Sequence, residues 1–462
     1  MTSQIEELGS VTTPTGELVL VDFGCLRMWS GESKPTLDPD DVGEGVAAIA
    51  NAAVDLEIVG DSPVAAGRAT GLAAVIGRYV FDIPADKADE MCAAVVARAA
   101  EHGFTVQVKP IARMPHRTRV ARLLDDSPTG TEVLFGGPGA VAVRGLPAGR
   151  PLRVCGVRMP DDSPDRGRWH SVWVEVDEQS PARTEDIGYV FVDEARLAFA
   201  APDALTAWRT DDPVDGLADL AFWGRDAPVL VERTGAGVLD GDTYGWTDLP
   251  AQDALERARD LYRAKESEGL RFALDLRPHD DHHRLLSLAR TAPTESASIE
   301  IGGDVVCGFF TSWGDGAFPV RRDLAADGTL CRVRVEVGAP EIVERQRKLD
   351  DRWFGELSRA ALVSNRVAQD GAQVRWMYRK APDNPHDSGW RVFSGDESDS
   401  EVDDSANITV VPLRDLVAAD ASLEALFRTP APCAFERDPD GDFVAVEYQP
   451  PQDLPGLILG GG

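Results

Sequence analysis

Short apolar runs, each cut off by glycine or proline, set the limits on what this chain folds into. The 462 residues include 43 Gly and 31 Pro, residue types that end helices and start turns. Many short elements are expected rather than long helices. The length allows roughly two to four domains, each able to bury its own core. No apolar run is long enough to span a bilayer.

A small α+β module is expected over residues 1–150. Residues 17–23 follow the Pro14-Thr15-Gly16 turn as a strand candidate. Ala88, Met91, Cys92, Val95, Val96 and Ala99 recur at helical spacing, with Pro84 before them and Gly103 after them. Phe104, Val106 and Val108 then alternate with polar residues, as in a half-buried strand. The turn-rich patch 145–151 marks the expected boundary. Residues 151–338 carry strand-like runs at 152–157, 169–176, 188–192, 229–232, 298–301, 305–310 and 330–337. They read as a β-rich, sandwich-like domain. One helix interrupts it, starting at Pro250 and stopping at Gly269. Residues 339–359 read as a helical connector and 360–448 as a second small α+β domain. In that domain 361–363 and 374–378 are strands joined through Asp370-Gly371. Residues 449–462 read as a loose tail. The fold class is therefore α+β multidomain, and no internal repeat is evident.

Acidic side chains outnumber basic ones 78 to 47, for a formal net charge of −31. Such a field repels phosphate backbones and anionic lipid, so nucleic acid and membranes are poor partners. It attracts basic proteins and speeds their encounter. It also keeps a protein soluble without serving any partner. The six cysteines form no C-x-x-C pair, which argues against a zinc ribbon or a disulfide framework. Reduced, mostly buried thiols are expected. The N-terminus lacks the basic and apolar segments of a signal peptide, so a cytoplasmic location is expected.

One segment stands out for the order of its residues, Asp387-Ser388-Gly389-Trp390-Arg391-Val392-Phe393-Ser394-Gly395-Asp396-Glu397. Gly389 and Gly395 set turns on either side of an apolar piece. Six carboxylates then fall within the nine residues 396–404. Together with Leu362-Val363-Ser364-Asn365-Arg366-Val367, residues 374–379, Asp403-Asp404 and Ala434-Phe435-Glu436-Arg437, this segment resembles the immunity protein 33-like family. The resemblance implies a bacterial protein that binds and blocks a toxin instead of transforming a substrate. Asp387, Ser388, Gly389, Trp390, Ser394, Gly395, Asp396, Glu397, Asp403 and Asp404 are then the expected partner contacts, because aromatics anchor interfaces. The plainer alternative makes Trp390 and Phe393 core residues and the acidic run a solvated loop. Calcium binding lacks the ordered ligand positions of an EF-hand. The middle segment more weakly resembles the 4241-type domain family, on Gly308, residues 312–320 and Asp327-Gly328.

Two further motifs carry chemistry. Trp313-Gly314-Asp315-Gly316 reads as a second binding loop or as a plain tight turn. His279 and His283 have the i, i+4 spacing that, on a helix opened by Pro278, puts two imidazoles on one face as metal ligands. No third ligand is evident, and a polar helix start is the alternative. Gly235-Ala236-Gly237 lacks the rest of a dinucleotide fingerprint. Gly136-Gly137-Pro138-Gly139 lacks the ending of a P-loop. No catalytic residue and no cofactor is identified. The expected function is non-catalytic: neutralisation of a basic bacterial toxin by occlusion. Residues 351–462 carry 20 Asp plus Glu against 10 Lys plus Arg, a net charge of −10, which suits such a partner. The alternatives are a multi-module scaffold or sensor, and a metal-dependent hydrolase with its site in residues 150–340.

Overall fold

The computed structural model describes residues 4–135, 139–438 and 441–447. The expected tail and most of the 136–139 glycine stretch lie outside these residues. The chain forms two compact units, Met1–Ile342 and Val343–Gly462.

In the first unit the main elements run through the same order twice. The first half comprises β1 (Ile5–Val11), β2 (Glu17–Val21), β3 (Val54–Gly60), a helix Pro63–Ala69, β4 (Val75–Ile76) and β5 (Tyr79–Ile83). It continues with a helix Ala88–Glu101, β6 (Val106–Ala112), a helix His116–Asp126, β7 (Thr131–Leu134), β8 (Gly139–Arg144), β9 (Leu152–Arg158) and β10 (Trp169–Glu175). The second half comprises β11 (Arg183–Val192), β12 (Arg196–Ala200), β13 (Leu217–Trp223), a helix Ala227–Thr234, β14 (Gly237–Asp240) and β15 (Thr243–Pro250). It continues with a helix Ala251–Glu268, β16 (Ala273–Pro278), a helix Asp281–Thr291, β17 (Ser296–Ile301), β18 (Asp304–Phe310), β19 (Gly316–Leu324) and β20 (Leu330–Val335).

The pairing repeats as well. Two four-stranded sheets, β4-β5-β3-β6 and β14-β15-β13-β16, have the same order, each within a β-α-β-β-α-β unit. The other strands form two six-stranded sheets, β1-β9-β10-β20-β19-β11 and β17-β18-β12-β2-β8-β7. Each of these reads the same from either edge once halves are exchanged. At their centres β10 meets β20 and β2 meets β12, both antiparallel. The unit is thus a near-twofold pair of halves on one chain.

Local sequence explains why both halves fold alike. Asp82-Ile83-Pro84-Ala85, followed by Ala88, Glu90 and Gly103, has the spacing of Asp248-Leu249-Pro250-Ala251, followed by Ala254, Glu256 and Gly269. Asp82 and Asp248 both take left-handed backbone, at φ 57° and 54°. Gly60 and Gly224 end equivalent strands at φ 128° and 123°. A Cβ at Gly60 would lie 2.7 Å from the Thr105 carbonyl oxygen, and one at Gly224 3.0 Å from Phe272 Cα. Only glycine fits these close approaches. The repeat is therefore legible in turn residues, and the reading that found none is corrected.

Burial follows the strand period of two. In β2, Val19 and Val21 join the cluster containing Val120, Leu123 and Leu124 of helix His116–Asp126 and Leu285 of helix Asp281–Thr291. Leu18 and Leu20, equally buried, point to the opposite face. In the other six-stranded sheet, Val154, Val172, Val174, Val320, Val333 and Val335 are all fully buried and share one face by register. The edges of the two sheets meet where Thr12 N donates to Val305 O at 3.1 Å and Tyr189 N to Glu132 Oε1 at 2.8 Å. The two apolar faces thus enclose one layer.

Two expectations change. The boundary near 150 is crossed by both six-stranded sheets, so residues 1–150 and 151–338 build one unit and the sandwich draws on both. Residues 229–232 are helical, not a strand. Pro228 occupies the first turn and Gly235, at φ 69°, closes helix Ala227–Thr234, which outweighs the β-branched valines. The segment expected as a connector contains helix Pro340–Phe354.

The second unit holds a six-stranded sheet, β24-β21-β23-β22-β25-β26. Its strands are β21 (Ala360–Ser364), β22 (Trp376–Arg379), β23 (Asp387–Phe393), β24 (Ile408–Pro412), β25 (Cys433–Arg437) and β26 (Phe443–Ala445). β21 runs parallel to β23, so residues 361–363 and 374–378 are separated by a strand and are not a hairpin. Helices Leu413–Ala419 and Leu423–Phe427 cover one face. Leu413, Leu416, Leu423 and Phe427 pack there with Val363, Met377, Trp390 and Val392. The opposite face carries Tyr378, Phe393 and Ala434 under Val402 and Ile408. Helix on one side and loop on the other make this an α+β domain.

Candidate functional site

In the second unit the motif 387–397 divides into a buried strand and a presented loop. All seven residues of β23 are buried. Trp390 is fully buried, its Nε1 donating to Phe427 O at 3.2 Å and its ring meeting Phe427 edge-on. Ser388 Oγ donates to Ala360 O at 2.7 Å. Arg391 grips Asp387 with two hydrogen bonds, of 3.0 and 3.1 Å. Burial would raise the Asp387 carboxyl, but Arg391 and the backbone amides around it hold it below its ordinary value. Gly389 has φ 81°, and a Cβ there would lie 2.1 Å from the Lys380 carbonyl oxygen. Asp387, Ser388, Gly389 and Trp390 are therefore corrected from partner contacts to scaffold. They have no surface to offer, because helix Leu423–Phe427 and the neighbouring strands cover them.

The loop that follows is different. Strands β21 and β23 are parallel, so their C-terminal ends open on the same edge and place residues 365–368 beside residues 394–407. Ser394 remains buried. Its amide and that of Gly395 donate to Glu397 Oε1 and Oε2, each at 2.8 Å. Burial works against the Glu397 carboxylate, but the Ser364 hydroxyl and these amides lower its pKa to about 2. Glu397 thus closes the turn from within. Arg366, on the short helix Asn365–Ala368, holds the loop from below. It takes Glu401 through two hydrogen bonds of 2.6 Å and Asp396 at 3.1 Å. Asn365 Nδ2 donates to Ala406 O at 2.8 Å, and Asn365 Oδ1 accepts from Thr409 Oγ1 at 2.7 Å. Asp404 caps the turn at Ala406.

The carboxylates of this loop therefore have two jobs. Glu397 and Glu401 are spent on fixing its shape. Asp396, Asp403 and Asp404 are exposed beside Gly395, although Asp396 also meets Arg366 and Asp404 also caps the turn. The expectation for the acidic run is sharpened in that these exposed groups sit on a fixed loop. Asn365 and Arg366 were absent from the expected contacts. The signal that finds them is a basic residue in a family motif otherwise rich in acids.

The remaining candidates lie in the first unit. Trp313 is fully buried, with Nε1 donating to Trp169 O at 2.6 Å. Asp315 Oδ1 accepts from Ala195 N at 2.9 Å. With Gly314 left-handed at φ 70° and Gly316 opening β19, the four residues form the β18–β19 turn. They are not the second binding loop of the sequence reading, because the indole is used to lock the turn.

His279 and His283 are brought together, but not by a shared helix. Pro278 ends β16, Asp280 caps the helix that starts at Asp281, and His279 precedes it. The two rings stack at 4.5 Å. His279 Nδ1 meets Asp215 Oδ2 at 3.0 Å and Nε2 meets Asp219 Oδ1 at 3.1 Å. His283 Nε2 lies 4.0 Å from Asp219 Oδ2. The third residue of the group, which the sequence did not reveal, is Asp219, delivered by β13. The cysteines carry no such grouping: four of the six are buried and all are free thiols. Among the described residues no helix is long and apolar enough to cross a membrane.

The sheet, its helices and the acidic loop make up one small α+β domain. Residues 361–447 match the family model of the Immunity protein Imm33 domain. That match coincides with β21 through β26 and with every piece of the motif. It does not extend to residues 151–338, whose resemblance to the 4241-type family gains no support from it. Comparisons with curated proteins and with solved structures return no match.

Proposed function

We propose that the second unit is a toxin-immunity module that works by binding and masking a basic protein, without catalysis. The observation that carries this reading is the acidic loop 394–404. It lies inside the segment that matches the immunity domain, and Arg366, Asn365 and Glu397 fix its shape. A loop held in place loses little conformational freedom on docking, which favours affinity. Exposed carboxylates on an acidic domain steer a cationic partner and fix its orientation. The net charge of −10 over residues 351–462 points the same way. The partner is a bacterial toxin with a basic docking face, met in the cytoplasm.

The test is protection of cells that express the toxin encoded beside this gene. The full chain protects. The triple variant Asp396→Asn, Asp403→Asn, Asp404→Asn loses protection, and the association rate of purified proteins falls by roughly 10-fold or more at low salt. Unchanged protection and unchanged association in that variant would sink the reading. Arg366→Ala frees the loop and releases Asp396, weakening binding through shape while every exposed carboxylate is kept.

A further inference from the structure

The two halves of the first unit place the same acidic pair in the same corner. Asp55 of β3 accepts from the Asp82 amide at 3.1 Å, and Asp219 of β13 accepts from the Asp248 amide at 3.0 Å. What faces those acids differs. In the first half Arg113, the residue after β6, pairs with Asp82 at 2.6 Å. Arg119 joins Asp55 and Asp82 at 3.1 and 2.8 Å and is fully buried. In the second half the residue after β16 is His279, and the next helix contributes His283. Guanidinium groups are always protonated and never ligate a metal. Imidazoles do, through a neutral ring nitrogen.

We propose that Asp219, His279 and His283 form a three-ligand site for a divalent transition metal of the zinc class. One ligand atom from each residue lies within 4.8 Å of the others. A tetrahedral ion with bonds of about 2.0–2.2 Å needs donors about 3.3 Å apart, so modest side-chain rotation closes the set. Two imidazoles and one carboxylate suit zinc or cobalt better than calcium or magnesium. Asp215 already holds His279 Nδ1 at 3.0 Å. That is the outer partner which fixes the tautomer and leaves Nε2 for the ion. On loading, the ion displaces the proton shared between Nε2 and Asp219.

The site also has access. Asp219 and His283 line a cavity of about 540 Å³. Arg196 and Arg277 line the same cavity already paired with Glu194 and Asp275, so a fourth ligand entering there would be water. The buried Nε2 of His282, another lining residue, has no hydrogen-bond partner. The corner in the first half, by contrast, is filled with arginine.

The experiment is titration of the full chain with zinc by calorimetry and with cobalt(II) by visible absorption. One ion binds per chain, and cobalt gives the spectrum of a tetrahedral site. His283→Ala or Asp219→Asn weakens binding by roughly 100-fold or more, and Asp215→Asn by about 10- to 100-fold. The exposed His170→Ala leaves it unchanged. His283→Gln serves if the smaller residue impairs folding, with circular dichroism checking that each variant is native. Absence of uptake by the native chain overturns the proposal. So does uptake that survives in folded His283 variants, which would place the ion elsewhere.

Discussion

The corner around Asp55 and Asp82 and the corner around Asp219 and Asp248 share a backbone and differ in what fills them. In the first, two arginines neutralise two aspartates, and Arg119 also stacks on Phe81 at 4.4 Å. In the second, the helix that follows β16 presents Arg284 outward, where it pairs with Asp281 at 2.8 Å. Its place over the acids goes to histidine, and a cavity opens alongside. One copy uses the position for cohesion. The other is free to bind something. A duplicated fold allows this because the twin can carry the stability of the shared core.

The contrast can be broken by mutation. Arg119→Ala strands the buried Asp55 carboxylate, while Asp82 keeps Arg113, and is expected to cost about 3–5 kcal/mol, the range for breaking a buried ion pair. Denaturant unfolding measures it, and a loss below about 1 kcal/mol would show that the arginine does not hold the corner. Gly60→Ala and Gly224→Ala probe whether the halves are structurally equivalent. Each is expected to cost about 1–3 kcal/mol from backbone strain and close contact, with Gly60→Ala no milder. A large cost in one and none in the other would contradict the equivalence.

Acid separates the corners further. Burial opposes ionisation of Asp82, but hydrogen bonds and charge from Arg119 and Arg113 bring its pKa down from 3.8 to about 2. A depressed carboxylate stabilises the fold above its unfolded value and loses that contribution as pH falls. The Asp82 contribution is therefore complete above about pH 4 and disappears as pH drops through about 2. Comparing the native chain with Asp82→Asn in unfolding experiments across this range should show the difference vanish at the acid end. The smallest effect is expected at Arg284→Ala, about 1 kcal/mol, because Arg284 itself is exposed and the buried Asp281 keeps the Arg209 amide at 2.9 Å.

Much of this architecture can be traced in the residues. Alternation and apolar runs located fewer than half of the strands, and Pro250 and Gly269 bounded their helix correctly. Residues 229–232 misled because valine favours strands, whereas Pro228 and Gly235 were the better guide. The duplication escaped notice because the halves share turn residues and apolar class more than identity, and loops of unequal length shift the spacing. In the second unit the acidic loop was legible as charge. The burial of Trp390 was legible only as one of two readings, since the face a strand residue shows depends on helices 20 or more residues further along. Asp219 was invisible as a ligand for the same reason: β13 reaches the histidines only through the sheet.

The strands at the middle of both large sheets bond to their counterparts across the halves, β2 to β12 and β10 to β20. A polypeptide ending after Glu175 would leave both of those ladders with raw borders. Nothing in its own length could heal them, but a second identical fragment would present matching borders. Such a fragment is expected to assemble in twos. Two separately made halves should likewise find each other and restore the whole, which makes this chain a natural candidate for splitting into complementing parts.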